Sequence, residues 1–318
     1  MILVKKYTNR KFEFVGERLD RFLVLQLKDL SRSQIQKMIK NKTILVNGEL
    51  KKTGYVLTKE DVVTVENISL NKNLCLKAEK IEIPVLYEDK DVLVVDKPYG
   101  MVVHPVDGGQ CMSGTLVNAV LNKIKHKQFG GLRPGIVHRI DKDTSGALVI
   151  AKNKKAAEDL IEQFKSRKVQ KYYLTLVYGI LKHPEGIIES PIARAYVDRK
   201  KMRVSNENEG KMAISIYKTL KIFKPEKGRY ACSLLEVQIK TGRTHQIRVH
   251  MSALGYPVIG DDTYGNKKAN RFFEAKFGLK RQFLHAHTLR FISPDTKKEV
   301  AIVANLPSDL NKVITQLS

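Results

Sequence analysis

Within "GIVHRIDKDTSGALVIAKN", residues 135–153, one arginine and two carboxylates crowd onto a short polar connection between two apolar runs. Arg139 and Asp141 stand two residues apart, so in an extended segment both side chains leave on the same side. A carboxylate close to a cation is held in its ionised form. The pair therefore suits a nucleophile or an electrostatic partner that keeps its charge, rather than a proton donor. Asp143 fits a different part. With Thr144, Ser145 and Gly146 it composes a turn in which an Asp side chain bonds local backbone. The plain alternative for the whole segment is a polar turn and nothing more.

A second stretch, "TGRTHQIRVHMSALGYPVIGDDTYG" (241–265), supplies another cation. The spacing predicts a helix capped by Thr244 and stopped by Gly255, with Ile247, Met251 and Leu254 on its buried stripe. Arg248 falls at the edge of that stripe, where a partly desolvated guanidinium needs a carboxylate. Asp141 is the candidate partner; a surface arginine lying over the helix is the alternative. Six of the eight histidines (His104, His138, His245, His250, His285 and His287) fall in or beside such stretches. On a strand, "HAH" directs His285 and His287 to one face, a possible metal site, but no Cys or acidic pair stands at ligand spacing, which favours structural roles.

The elements that must position these groups belong to a chain of 318 residues, long enough for two unequal domains. Its 42% hydrophobic and 28% charged residues fit a soluble globular protein. No apolar run is long enough to cross a bilayer, and the first residues lack the pattern of a secretion signal. Cys75, Cys111 and Cys232 lie too far apart for a disulfide framework or a Cys-x-x-Cys clip, and a reducing cytoplasm is the expected compartment. The net charge is +24, with 17 basic against 9 acidic side chains in residues 1–80 and 40 against 24 in residues 81–318. Because the excess is spread over the chain, a large anionic partner is expected, nucleic acid before membrane.

Residues 17–66 read as a small unit. Leu19, Phe22, Leu23 and Leu27 recur at helical spacing. "SRSQIQKMIKNK" opens with a capping box, Ser31 with Gln34, and buries Ile35, Met38 and Ile39, while Arg32, Lys37 and Lys40 supply charge suited to an RNA backbone. "TILVNGEL" is a strand entering an Asn47-Gly48 turn, and "DVVTV" is a further strand. A linker is expected over 71–80. Beyond it come strands at 91–97, 101–105, 146–153, 171–179 and 232–240, and a helix capped by Asn153 with Ala157, Leu160, Ile161 and Phe164 at helical intervals. Many strands without regular alternation with helices argue for an α+β fold on a mixed, mostly antiparallel sheet flanked by helices.

"SRSQIQKMI…ILVNGE" resembles the small RNA-binding domain shared by a bacterial small-subunit ribosomal protein (S-four-like) and several RNA-modifying enzymes. "VVDKPYGMVVHP", "GIVHRIDKDTSG", "KYYLTLVYG", "TGRTHQIRVHMSALGYPVIGDDTYG" and "RQFLHAHTLRF" resemble, in family order, the RluA family of pseudouridine synthases, in the branch that modifies large-subunit ribosomal RNA. The resemblance implies an S-four-like domain over 1–70 and a catalytic domain over 81–318, acting without a cofactor on ribosomal RNA; nothing in the sequence demands a partner subunit, and a monomer is expected. It implies isomerisation of uridine to pseudouridine, with Asp141 as the essential carboxylate, attacking the sugar or removing a sugar proton. Tyr173 would stack near the target base and help move the carbon 5 proton, Arg248 would pair with the aspartate, and Arg139 would fill the gap left when the target leaves its stack. Ile140, Ser293 and Asn305 depart from the family's usual Leu, His and Pro. A non-catalytic RNA-binding or ribosome-assembly protein, and the same isomerase acting on transfer RNA, are the competing readings.

Overall fold

The computed structural model describes residues 5–8, 15–27, 32–65, 76–105, 113–129, 131–198, 201–224 and 230–317. Ser31 of the expected capping box, Cys75, Cys111 and residues 71–75 of the expected linker lie outside them. The chain divides into two compact units, Met1–Leu76 with Lys127–Pro134, and Lys77–His126 with Gly135–Ser318.

In the first unit, β1 (Lys5–Thr8), α1 (Leu19–Gln26), α2 (Arg32–Lys40), β2 (Ile44–Val46) and β3 (Val62–Val65) make two helices and an antiparallel sheet of order β1-β3-β2. The helical spacing holds: Leu19, Phe22, Leu23 and Leu27 bury themselves against Ile35, Ile39, Val63 and Val65. Asn47 and Gly48 both adopt positive φ (53° and 79°), as a two-residue turn between twisted strands requires. Val46 and Glu49 exchange both backbone hydrogen bonds across it at 2.9 Å.

The second unit comprises β4 (Val85–Glu88), β5 (Val92–Lys97), α3 (Leu116–Val120), β6 (Ser145–Ala151), α4 (Lys154–Lys165), β7 (Gln170–Tyr178), β8 (Glu185–Glu189), β9 (Ile192–Arg194), β10 (Met202–Val204), β11 (Ile214–Phe223), β12 (Cys232–Ile239), α5 (Gln246–Ala253), α6 (Lys267–Phe277), β13 (Leu284–Ile292), β14 (Glu299–Val303) and α7 (Ser308–Leu317). A nine-stranded sheet runs β4-β5-β6-β13-β7-β12-β11-β8, with β14 on the far half of β13. Its pairings are antiparallel except β6 with β13. The expected mixed, mostly antiparallel sheet flanked by helices is what the chain builds.

Strand alternation sends Tyr173 and Val177 of β7 and Leu235 and Val237 of β12 to one face, where Ile247 and Met251 of α5 cover them. Leu176 and Cys232 point to the other face, under Phe273 of α6 and Leu310 of α7. Gly146 shows why the polar connection ends in glycine. It has φ +117°, and a Cβ there would lie 2.2 Å from the Ala286 carbonyl oxygen, at the parallel β6–β13 contact.

Two local expectations fail, and one departure finds its place. Residues 101–105 form no strand, because the carbonyls of Val102 and Val103 instead receive the first N–H groups of α3, those of Leu116 and Val117. Asn153 caps α4 as expected, accepting from the Ala156 N–H at 2.9 Å, but Ile161 on that helix is 50% exposed. Ser293, one of the departures, is buried in a turn; it donates to Asp89 Oδ2 at 2.7 Å and accepts from the backbone N–H groups of Asp295 and Thr296.

Candidate active site

Asp141 sits just before β6 on an irregular segment held from several sides. The Thr144 N–H donates to the Asp141 carbonyl at 3.1 Å and Gln282 Nε2 to Thr144 Oγ1 at 3.0 Å. Arg281 Nη1 donates to the Asp143 carbonyl at 3.2 Å. From beneath, Lys97, fully buried at the end of β5, donates to the carbonyls of Pro98 (2.7 Å), Met101 (2.9 Å) and Lys142 (3.0 Å). One ammonium thus ties the Pro98–Met101 turn to the residue after Asp141. Burial pulls its pKa down to about 7, against the opposite pull of the Asp143 charge. The Asp143 carboxylate makes no hydrogen bond among the described residues, contrary to the expected backbone bond, because its turn is fixed through main-chain carbonyls instead.

The second half of the site is built by "TGRTHQIR". Thr241 Oγ1 donates to Gln246 Oε1 at 2.8 Å, the Arg243 N–H donates to that oxygen at 3.1 Å, and Gln246 Nε2 donates to the Ile214 carbonyl at 2.9 Å. With the Gln246 amide filling the turn from inside, α5 starts later than expected. Its N-cap is His245, in the left-handed region at φ 56°, and not Thr244. Every side chain from Gln246 to Met251 is buried, whereas Leu254, expected on the stripe, is 42% exposed. Gly255 follows at φ +85° and stops the helix as expected.

This wedges Arg248 into the interior, 6% exposed. Its partnership with Asp141 holds, Nη1 donating to Oδ2 at 3.0 Å, but the main anchor is a residue the sequence did not single out. Asp261 takes Nε at 2.6 Å and Nη2 at 2.9 Å in a fork, and its Oδ1 also accepts the N–H groups of Thr263 and Tyr264. Burial disfavours the Arg248 charge, yet Asp261 and then Asp141 more than offset this and leave the guanidinium above the ordinary arginine range. The only available signal for Asp261 was the pair "DD" in "GDDTYG", and spacing does not say which of the two turns inward.

Arg139, Asp141, Tyr173, His245 and Arg248 line one hollow. Tyr173 on β7 is buried, and burial first, with the Asp141 charge second, raises its phenol above the ordinary value, so it rests protonated. Arg139 is exposed at the rim. The four expected residues of the reaction centre are therefore brought together. In the first unit, Lys37 and Lys40 are exposed on α2, and Arg32 gives Nε and Nη2 to the buried Asp20. His285 and His287 do not open toward a shared ion. His285 bonds Ser145 Oγ at 2.9 Å and the Ala304 carbonyl at 3.1 Å, and His287 bonds the same carbonyl at 2.8 Å.

Asp141 differs chemically from the other carboxylates of this network. Only Oδ2 is hydrogen-bonded among the described residues; Oδ1 is not, and the side chain keeps 20% of its exposure beside Tyr173. A carboxylate with one oxygen pinned and the other open can attack an electrophilic carbon or take a proton from it.

The family model described as RNA pseudouridylate synthase matches residues 91–253, and the S4 domain model matches residues 17–63. An uncharacterized RNA pseudouridine synthase of Aquifex aeolicus is 46% identical over 82% of this chain and 80% of its own length. Ribosomal large subunit pseudouridine synthase D of Zymomonas mobilis is 38% identical over 96% of this chain and 95% of its own. Among solved structures, human RNA pseudouridylate synthase domain containing 4 covers 74% of this chain and 92% of its own at 28% identity, with a TM-score of 0.56.

Proposed function

This chain belongs to the RNA pseudouridylate synthase family, and we propose that Asp141 is the carboxylate on which its isomerisation of uridine to pseudouridine depends. The observation that carries this is the open Oδ1 of a carboxylate whose other oxygen is fixed by a buried guanidinium. The reaction breaks the bond from ribose carbon 1′ to base nitrogen 1, turns the base, and rejoins it through carbon 5. The carbon 5 proton leaves and nitrogen 1 gains one. Atoms balance within the nucleotide, so no co-substrate or cofactor is called for.

Asp141 Oδ1 serves the ribose, as nucleophile at carbon 1′ or as base for a sugar proton. Arg248, with Asp261 behind it, fixes the carboxylate and sets a positive charge against it in the hollow. Tyr173 presents its ring to the base, and because its phenol rests protonated it must pass that proton on before it can accept the one from carbon 5. Extruding a base costs a few kcal/mol. Arg139, exposed at the rim, fills the gap and meets phosphate. Replacing Asp141 with Asn should abolish pseudouridine formation while RNA affinity stays within about threefold. Isomer formation by the variant would sink the assignment.

The substrate we assign is large-subunit ribosomal RNA. Support comes from the relatives carrying that name and from the basic first unit with its S4 match. Arg32, Lys37 and Lys40 are its candidate backbone contacts, and residues 1–70 its docking domain. The same reading places a monomeric enzyme in the cytoplasm. Mapping pseudouridine in cells with and without this protein decides between ribosomal and transfer RNA. Changing Lys37 and Lys40 together to Gln should lower the salt slope of RNA binding by roughly 2; an unchanged slope would remove both from the contact set.

A further inference from the structure

His245 belongs to the hollow, yet neither the carboxylate chemistry nor the anchoring of Arg248 uses it. Its backbone is left-handed (φ 56°, ψ 22°), a region few residues other than glycine enter, with His, Asn and Asp the most frequent among them. Such a conformation at a cavity wall points from geometry to use. The ring is fixed on one side only. Nδ1 lies 2.9 Å from the Tyr264 hydroxyl, the two rings meet edge to face at 5.7 Å, and Nε2 has no hydrogen-bond partner among the described residues.

The tautomer follows from Tyr264. The Met202 N–H donates to the Tyr264 hydroxyl oxygen at 2.7 Å, so that oxygen already has a donor. Its own hydrogen is satisfied by pointing at His245 Nδ1, which makes Nδ1 the acceptor and places the ring proton on Nε2. Burial, the largest influence, and the Arg248 and Arg139 charges favour the neutral ring; Asp141 and Asp261 oppose them.

We propose that His245 is a substrate-contacting residue whose Nε2–H donates a hydrogen bond to an oxygen acceptor of the extruded nucleotide, with Tyr264 as the positioning residue that fixes its tautomer. The proposal rests on the isomerase reading of the hollow. A donor with no partner in the protein is complementary to a nucleotide carrying carbonyl and phosphate oxygens, and it is met only after the nucleotide has left its stack. The contact should therefore act on kcat more than on KM.

His245→Asn is the discriminating variant. The Asn amide can take the place of Nδ1 opposite Tyr264 and tolerates left-handed backbone, but it has nothing where Nε2–H was. On a short RNA substrate its kcat should fall ten- to a hundredfold, the size of one lost hydrogen bond or slightly more, with thermal stability unchanged. Retention of kcat within twofold overturns the proposal. Two altered targets identify the acceptor: a uridine with its carbon 4 oxygen replaced by sulfur, and one with a methylphosphonate at its own phosphate. The change that removes the true acceptor should slow the wild type and add nothing in His245→Asn. If both changes slow the two proteins equally, His245 touches neither and the proposal fails. Should His245→Asn not fold, nitrogen NMR of the Asp141→Asn protein decides: RNA binding must shift the Nε2–H signal, and a stationary signal overturns the contact. Persistent turnover in Asp141→Asn would sink the carboxylate assignment alone, since His245→Asn is judged against an active wild type.

Discussion

Asp20 in the first unit and Asp141 in the second each face arginine, and their surroundings use the charge in opposite ways. Asp20 is wholly buried and both its oxygens are occupied: Arg18 donates to each, and Arg32 and Gln36 crowd onto Oδ2. Burial would raise its pKa, but those bonds more than offset it and hold the carboxyl well below the usual range. Such a group ties α1 to α2 and has nothing left to react with. Asp141 keeps one oxygen open: Arg248 gives Nε and Nη2 to Asp261 in a fork and reaches Asp141 through Nη1 alone, at Oδ2. An arginine beside an aspartate is therefore a structural clamp or a reactive site according to how many acceptor positions stay empty.

The largest effect should come from removing the residue that anchors Arg248 behind Asp141. Asp261→Ala strands a buried guanidinium, and about 3–5 kcal/mol of stability should be lost in chemical denaturation, together with most turnover. A stable, active variant would mean that Asp141 alone can hold Arg248. Next, Lys97→Met leaves three carbonyls without their donor and should cost about 2 kcal/mol with a fall in kcat at unchanged RNA affinity. Unaltered kcat would show that the loop carrying Asp141 keeps its place without that tie.

A smaller effect is expected at the clamp. Asp20→Asn should cost about 1–2 kcal/mol, discounted because Arg18 and Arg32 are half exposed, and leave turnover on a short substrate intact. A parallel loss of turnover would erase the contrast between the two sites. The smallest effect is in pH. Because the folded pKa of Asp20 lies below its unfolded value near 3.9, its contribution is complete above that value and fades as pH falls toward the folded one. The stability gap between wild type and Asp20→Asn should be constant from about pH 5 to 7 and narrow below about pH 4. A gap independent of acid would contradict a depressed Asp20.

Much of this was legible in residue types and spacing. The apolar faces of α1 and α2, the Asn47-Gly48 turn and the strands β5, β6, β7 and β12 are local patterns, and they survive folding because each agrees with its neighbours. The motifs also grouped Arg139, Asp141, Tyr173 and Arg248, which line one hollow. What failed was decided by partners distant in sequence. Thr244 lost the cap to His245 because Gln246 bonds Ile214 and Thr241. The strand at 101–105 gave way to the start of α3. Asp261 looked no different from Asp262.

The sequence alone determined that carboxylate and guanidinium would be available on a basic, strand-rich chain, since charge, turn chemistry and periodicity are properties of short segments. Only the tertiary structure decided which oxygens remain open. Hydrogen-bond saturation depends on groups 107 residues apart, as for Arg248 and Asp141, and no local pattern records that distance.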